Sequence, residues 1–207
     1  DLEETIKEKV APLLEQMMEK NLGVYIPKVK QDISDKLVNP LSNIYIPFAT
    51  TFEKAKKTFK KEFFRKELSL HLGNISHLAK TLGIDRRSIH RTIKELEITV
   101  EAMREETYQE QIIDETIRKT FESYREVFQP EKIEKVYQQI PQLSKSIAKL
   151  IPHQHLTWKE IEQEFEKQFF NHVLKQHQWN VSNTAKHIKL RVETVHRKIQ
   201  KLGLNKN

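Results

Sequence analysis

Residues 73–96 read Gly-Asn-Ile-Ser-His-Leu-Ala-Lys-Thr-Leu-Gly-Ile-Asp-Arg-Arg-Ser-Ile-His-Arg-Thr-Ile-Lys-Glu-Leu. Asn74 and Ser76 are helix-start residues, and Ile75, Leu78 and Ala79 follow at a spacing that puts them on one face of a short helix. Gly83 supplies a turn that only a residue tolerant of left-handed backbone makes at low cost. Asp85 then opens a second helix whose Ile89, Ile93 and Leu96 face inward. Two short helices crossing through a tight turn are the helix-turn-helix plan.

Upstream of this stretch, Thr51 precedes Phe52, Ala55, Phe59, Phe63 and Leu68, an aromatic and aliphatic stripe at helical spacing. The pattern predicts a long helix over Thr51 to Leu72 with a core-facing stripe. Downstream the same text returns. Phe59 to Ile98 aligns without a gap onto Phe165 to Leu204, 106 residues later. Phe59, Phe63, Phe64, Leu68, His71, Asn74, Ser76, Ala79, His90, Arg91, Ile93 and Leu96 are matched by Phe165, Phe169, Phe170, Leu174, His177, Asn180, Ser182, Ala185, His196, Arg197, Ile199 and Leu202. A second long helix is therefore expected over Thr157 to Gln178, followed by short helices over Asn180 to His187 and Arg191 to Leu202. The repeats divide the chain into residues 1–98 and 99–207.

Outside the repeated segments, Leu2, Ile6, Val10, Leu14 and Met18 mark an amphipathic helix ended by Gly23, with Pro12 restarting it. Pro27 opens a short helix carrying Val29, Ile33 and Leu37, and Asn39 to Pro47 is a loop. Val100, Met103, Ile113, Ile117, Phe121, Tyr124 and Phe128 are read as one long linking helix. The likeness of Glu115 to Arg118 with Glu4 to Lys7, and of Ile140, Pro141 and Ile147 with Ile26, Pro27 and Ile33, suggests that the duplication extends upstream. The expected class is all-α, two tandem helical repeats packed as an intramolecular pseudo-dimer. Four glycines, 31% charged residues and prolines confined to the regions outside the repeats agree with it.

A net charge of +7 favours a polyanionic partner. The chain has no cysteine, which excludes disulfides and thiolate metal sites. It has no apolar run approaching the roughly 20 residues of a membrane span, and Asp1 to Lys9 is acidic and amphipathic rather than a leader, so a cytoplasmic protein without membrane contact is expected.

The pattern of Asn74, Ile75, Ser76, Ala79, Leu82, Gly83 and Ile84, then Arg87, Ser88, Ile89, Arg91, Ile93 and Leu96, resembles the Fis-type helix-turn-helix, the DNA-binding end of Fis and of NtrC-family activators. The lead-in Phe52, Glu53, Lys54, Ala55, Lys56 and Phe59 is similar as well, and the resemblance covers about residues 50–98 and 157–204. It implies that the second helix of each motif enters the major groove of double-stranded DNA and that two long helices pack around a two-fold axis. The residue pattern agrees independently. With Ile89, Ile93 and Leu96 inward, Arg86, Arg87, Ser88, His90, Arg91 and Lys94 surround the outer face, where arginine can read guanine in bidentate fashion. In the second copy Val195, Ile199 and Leu202 are inward, and Arg191, Thr194, His196, Arg197, Lys198 and Lys201 are expected around the outer face. Asn74, Ser76, Asn180 and Ser182, at the starts of the first motif helices, are expected near phosphates. A pseudo-dimer would present its recognition helices about 34 Å apart, one turn of DNA.

The copies diverge on that face. Lys189 stands where Gly83 does, Glu193 where Arg87 does, Arg191 where Asp85 does, and Val192 where Arg86 does. A non-glycine residue in left-handed backbone costs about 1 kcal/mol, and a carboxylate repels phosphate unless a cytosine amino group meets it. The second copy is thus expected to be a weaker or differently tuned reader, and the preferred DNA an asymmetric pair of half-sites.

Nine histidines raise the question of a metal. His172 and His177 are five apart, a poor spacing for one helix face, and neither they nor His153 and His155 gather carboxylates, so no metal and no cofactor are expected. Trp158 and Trp179 read as core. No phosphate loop, nucleophile–base arrangement or paired-carboxylate pocket can be assembled, and an enzyme is not expected. Two readings compete with the monomeric DNA binder: a homodimer in which each unit pairs with its counterpart on another chain, and a helical protein-interaction adaptor with vestigial helix-turn-helix units that binds partner helices through Leu2 to Met18 and Val100 to Phe128.

Overall fold

The computed structural model describes residues 1–42, 44–99, 105–152 and 156–206. They are helical or irregular, with no strand among the described residues. The packing units cut across the two sequence repeats: one comprises Asp1–Asn43 with Met103–Gln154, the other Ile44–Ala102 with His155–Asn207.

In the first unit, α1 (Leu2–Thr5), a π-helical segment (Ile6–Val10) and α2 (Ala11–Leu22) follow one another without a break. Proline at position 12 has no N–H to give the carbonyl of Glu8, and its ring crowds that carbonyl. The π segment carries the backbone past this point, with the Ala11 N–H donating to the Ile6 carbonyl five residues back. Pro12 thereby sits in the first turn of α2, and Gly23, with φ of 72°, ends that helix. Pro27 opens α3 (Pro27–Val38).

The linking helix differs from expectation. Val100 and Met103 lie outside the described residues, α7 is described over Glu105–Ser123, and a 3₁₀ turn at Arg125–Val127 leads through extended Phe128 into a further helix, α8 (Pro130–Leu150). Pro130 starts α8, as Pro27 starts α3, whereas Pro141 sits inside it. The upstream alignment of Pro141 with Pro27 therefore joins two residues with different structural roles. Ile6, Val10, Leu14, Met18, Val29, Ile33, Ile113, Ile117, Phe121, Ile133, Val136, Ile140 and Ile147 form the core of this unit. Each such side chain contributes about 1.5–3 kcal/mol by leaving water. Polar ties close its edges: Lys36 Nζ donates to Thr120 Oγ1 at 2.9 Å, Lys132 Nζ to the Leu22 carbonyl at the end of α2 at 3.2 Å, and the Tyr124 hydroxyl to Asp32.

The second unit holds α4 (Phe52–Leu70), α5 (Ile75–Leu82) and α6 (Arg86–Glu95) from the first repeat, and α9 (Trp158–Gln176), α10 (Val181–Ile188) and α11 (Val192–Leu202) from the second. Both long helices stop two residues short of the expected ends, because residues 72 and 73, and likewise 178 and 179, turn left-handed. The turn bonds repeat with the sequence. Gly73 N–H donates to the Leu68 carbonyl and Trp179 N–H to the Leu174 carbonyl, both at 2.7 Å, while Ile84 to Ala79 and Leu190 to Ala185 close the second turn at 3.1 and 3.0 Å.

The core of this unit is aromatic. Phe59, Phe64, Phe165, Phe169 and Phe170 are fully buried, and the rings of Phe59 on α4 and Phe165 on α9 stack with centroids 4.4 Å apart at 15°. Aromatic pairs at this separation gain about 0.5–1.5 kcal/mol beyond the area they bury.

Candidate nucleic-acid interface

The first motif is assembled by local caps. Thr51 Oγ1 accepts from the Lys54 N–H at the start of α4, Asn74 Oδ1 from the His77 N–H at the start of α5, and Asp85 Oδ1 from the Arg87 N–H at the start of α6. Gly83 joins α5 to α6 in left-handed backbone, φ 64° and ψ 34°. The caps fix the crossing of the two short helices, and Leu78, Ala79, Leu82, Ile89 and Leu96 are buried beneath it. Outside on α6 stand Arg86, Arg87, Ser88, His90, Arg91 and Lys94, all exposed, with Glu95 exposed at the end of the helix. Ile93 is half-buried and Thr92, not singled out in the sequence, is buried instead.

The second motif has the same frame with different edges. Thr157 and Glu160 form a capping box at α9, in which Glu160 accepts from the Thr157 N–H at 2.7 Å; this bond and that from the Thr157 hydroxyl hold the Glu160 carboxyl below its ordinary pKa. Asn180 caps α10 through the Asn183 N–H. Lys189 adopts the left-handed conformation of Gly83, φ 56° and ψ 47°. Arg191 precedes α11 without the side-chain cap that Asp85 gives α6.

Ser182, Arg191, His196, Arg197 and Lys201 are exposed, and Thr194 is half-exposed, as is Val192 where the first copy has Arg86. Glu193 stands exposed beside them on the same helix. Ser76 is exposed in the first motif. Asn74 and Asn180 are exposed too, but their side-chain oxygens are occupied by the helix amides they cap.

Lys198 departs from its expected place on the outer face. It turns toward α9, where its ammonium lies 2.6 Å from both oxygens of Glu166, a carboxylate with 8% of its side chain exposed, and 5.9 Å from the Phe52 ring centre. The sequence carried a signal for this pair: Lys198 replaces Thr92 and Glu166 replaces Lys60, so two positions of the repeat changed together to opposite charges.

Five of the histidines make ring contacts. His71 at the end of α4 meets His77 on α5 with 2.8 Å between Nδ1 atoms, and His177 at the end of α9 meets His187 on α10 with 2.7 Å between Nε2 and Nδ1. Each pair ties a long helix to the first helix of its motif, although His77 and His187 occupy different repeat positions. His172 stacks on Phe48 with centroids 3.9 Å apart. His153 and His155 lie outside the described residues. Among the described residues no group of three or more histidine, aspartate or glutamate side chains could hold a metal ion.

A cleft of about 420 Å³ in the first unit is lined by Glu110, Gln111, Asp114, Glu115, Pro141 and Ser144. Asp114 and Glu115 are already paired with Arg118 and Lys119, which offsets the charge it would offer a ligand.

Residues 163–202, from the second turn of α9 to the end of α11, match the family described as bacterial regulatory protein, Fis family. This part of the chain is similar to the Fis-type helix-turn-helix. No curated protein and no solved structure matches the chain.

Proposed function

We propose that the protein is a sequence-preferring binder of double-stranded DNA, a transcription regulator or nucleoid-type architectural factor, whose two motifs form an intramolecular pseudo-dimer. The observation that carries this reading is the outer face of α6: Arg86, Arg87, His90, Arg91 and Lys94 stand exposed over a buried seam, on the helix that corresponds to α11 in the Fis-type match. Arg86 and Arg87 there serve bidentate base contacts, Arg91 bases or phosphates, and Lys94, with Ser76 at the start of α5, phosphates. The stacking of Phe59 on Phe165, equivalent positions of the two repeats, supports a pseudo-two-fold pairing of α4 with α9. In that arrangement α6 and α11 address successive major grooves about 34 Å apart. Glu193 and the engaged Lys198 leave α11 with less free positive charge than α6, which favours an asymmetric pair of half-sites.

The test is binding to DNA selected from a random pool, followed over salt concentration. If roughly six phosphates are neutralised, log K falls with log salt at a slope near −5. Arg87→Ala with Arg91→Ala is expected to lower affinity at least tenfold, since each bidentate base contact is worth about 1–3 kcal/mol. A folded parent chain that binds no DNA at low salt would overturn the reading in favour of a protein-interaction adaptor. A perfect palindrome as best site would remove the asymmetry.

A further inference from the structure

The aromatic contacts between α4 and α9 are reciprocal. Phe52 and Trp158 occupy the same position of the two repeats, the first residue of each long helix. Phe52 meets Phe165, Phe169 and Phe170 at centroid distances of 6.3, 5.6 and 5.3 Å; Trp158 meets their counterparts Phe59, Phe63 and Phe64 at 6.5, 5.4 and 5.0 Å. When residue i touches j and the equivalent of i touches the equivalent of j, the interface is self-complementary. Residues that meet their own equivalent then lie on its axis.

Phe59 with Phe165 is one such pair. Lys56 with Glu162 is another, 106 residues apart, with Nζ and Oε1 separated by 2.8 Å. An axis contact between identical helices sets a residue against itself. Here the two copies carry opposite charges at that point, so α4 against a second α4 would oppose two ammoniums, and α9 against a second α9 two carboxylates. The first helical position is unequal as well. Pairing like with like would place two tryptophans in one interface and two phenylalanines in the other, overfilling one and underfilling its counterpart.

Resting on the pseudo-dimer reading, we propose that Lys56 with Glu162, and Phe52 with Trp158, form a pairing code that commits α4 to α9 and rejects the like-with-like association of two chains. The partner this face is built for is the other repeat, and a second copy of the same repeat is disfavoured by charge and by volume.

Single substitutions in the full chain recreate the rejected contacts. Lys56→Glu installs the carboxylate pair of an α9–α9 contact, and Glu162→Lys the ammonium pair of an α4–α4 contact. Thermal unfolding without DNA, at low salt, is expected to show Tm lowered by about 2–4 °C in each single variant and restored to within about 1 °C of the parent in Lys56→Glu with Glu162→Lys. About 1 M salt should erase most of the difference, because the pair is partly exposed and screened. Phe52→Trp and Trp158→Phe are each expected to lower Tm, with partial recovery when combined. Light scattering should show no gain of dimer in the exchanged double variant. Additive losses, with the double variant as unstable as the two singles together, would overturn the proposal. A parent chain that bound no DNA would still yield this cycle, so failure of the DNA reading is distinguishable from failure of the code.

Discussion

Lys198 donates to both carboxylate oxygens of Glu166 at 2.6 Å, joining α11 of the second motif to the long helix α9. Among the described residues Glu166 is the one charged side chain that is buried, and the Lys198 ammonium balances it. Charge-assisted bonds contribute about 1.5–3 kcal/mol, and a lone buried carboxylate costs more than its share of the pair. Lys198→Met is therefore expected to destabilise the chain by about 2–3 kcal/mol, read as a shifted urea midpoint, while the salt slope of DNA binding stays unchanged. Arg197→Ala should do the opposite, leaving the midpoint in place and reducing the slope by about 1. A Lys198 variant that lost slope without losing stability would return that residue to the DNA.

Phe59 and Phe165 are wholly buried and stacked on each other. Removing either ring leaves a cavity that the equivalent ring cannot fill, because it is held by its own helix. Phe59→Ala and Phe165→Ala are each expected to cost about 3–5 kcal/mol. Their combined effect should fall short of the sum, since both delete the same contact. Additive losses in a denaturant titration would show that the two rings stabilise their own halves separately.

The parts of this architecture that the sequence disclosed are those fixed by near neighbours. Asn74, Asp85, Thr157 and Asn180 cap helices within three residues of themselves, and Gly83 makes its turn by its own backbone freedom. The helix boundaries of the motif follow from those residues, and its outward face from the spacing of Ile89 and Leu96, which are buried. What escaped was long-range or internally contradictory. Glu166 is 32 residues from Lys198, and no helical period links them. The helix α8 was obscured by Pro141, which removes a hydrogen bond inside it, and is sustained by the burial of Ile133, Val136, Ile140 and Ile147. Tertiary packing outweighs a local breaker there, and the sequence alone did not supply the packing.

Lys189 occupies the left-handed turn that Gly83 makes in the first motif, and its side chain is exposed. A side chain in that conformation costs about 1–2 kcal/mol that glycine avoids, offset in part by the greater freedom of glycine in the unfolded chain. Lys189→Gly is expected to raise Tm by about 2–4 °C in a calorimetric scan. The converse, Gly83→Ala, should lower it, because Gly83 already holds φ at 64° and an added methyl would meet Thr157 Cγ2 at 3.6 Å, an ordinary contact that leaves backbone strain as the cost. No change in either variant would mean that the turn relaxes out of the left-handed region.

The first unit should be sensitive to alkali through its tyrosines. Burial, followed by the 2.5 Å hydrogen bond to Glu122, pushes the Tyr137 hydroxyl up from 10.0 to about 12. The bond to Asp32 raises Tyr124 in the same direction. A raised folded-state pKa means that the fold favours the protonated phenol. Its contribution is complete below the unfolded value near pH 10 and disappears as the pH climbs through about 12. The same bond, with that from Arg125, lowers the Glu122 carboxyl, whose contribution is present above the ordinary glutamate value and lost as pH falls below it. Urea midpoints for the parent and for Tyr137→Phe should therefore diverge at neutral pH and converge between about pH 10 and pH 12, the parent losing its advantage as the phenol ionises. Parallel curves across that window would place the alkaline loss elsewhere, in the lysines.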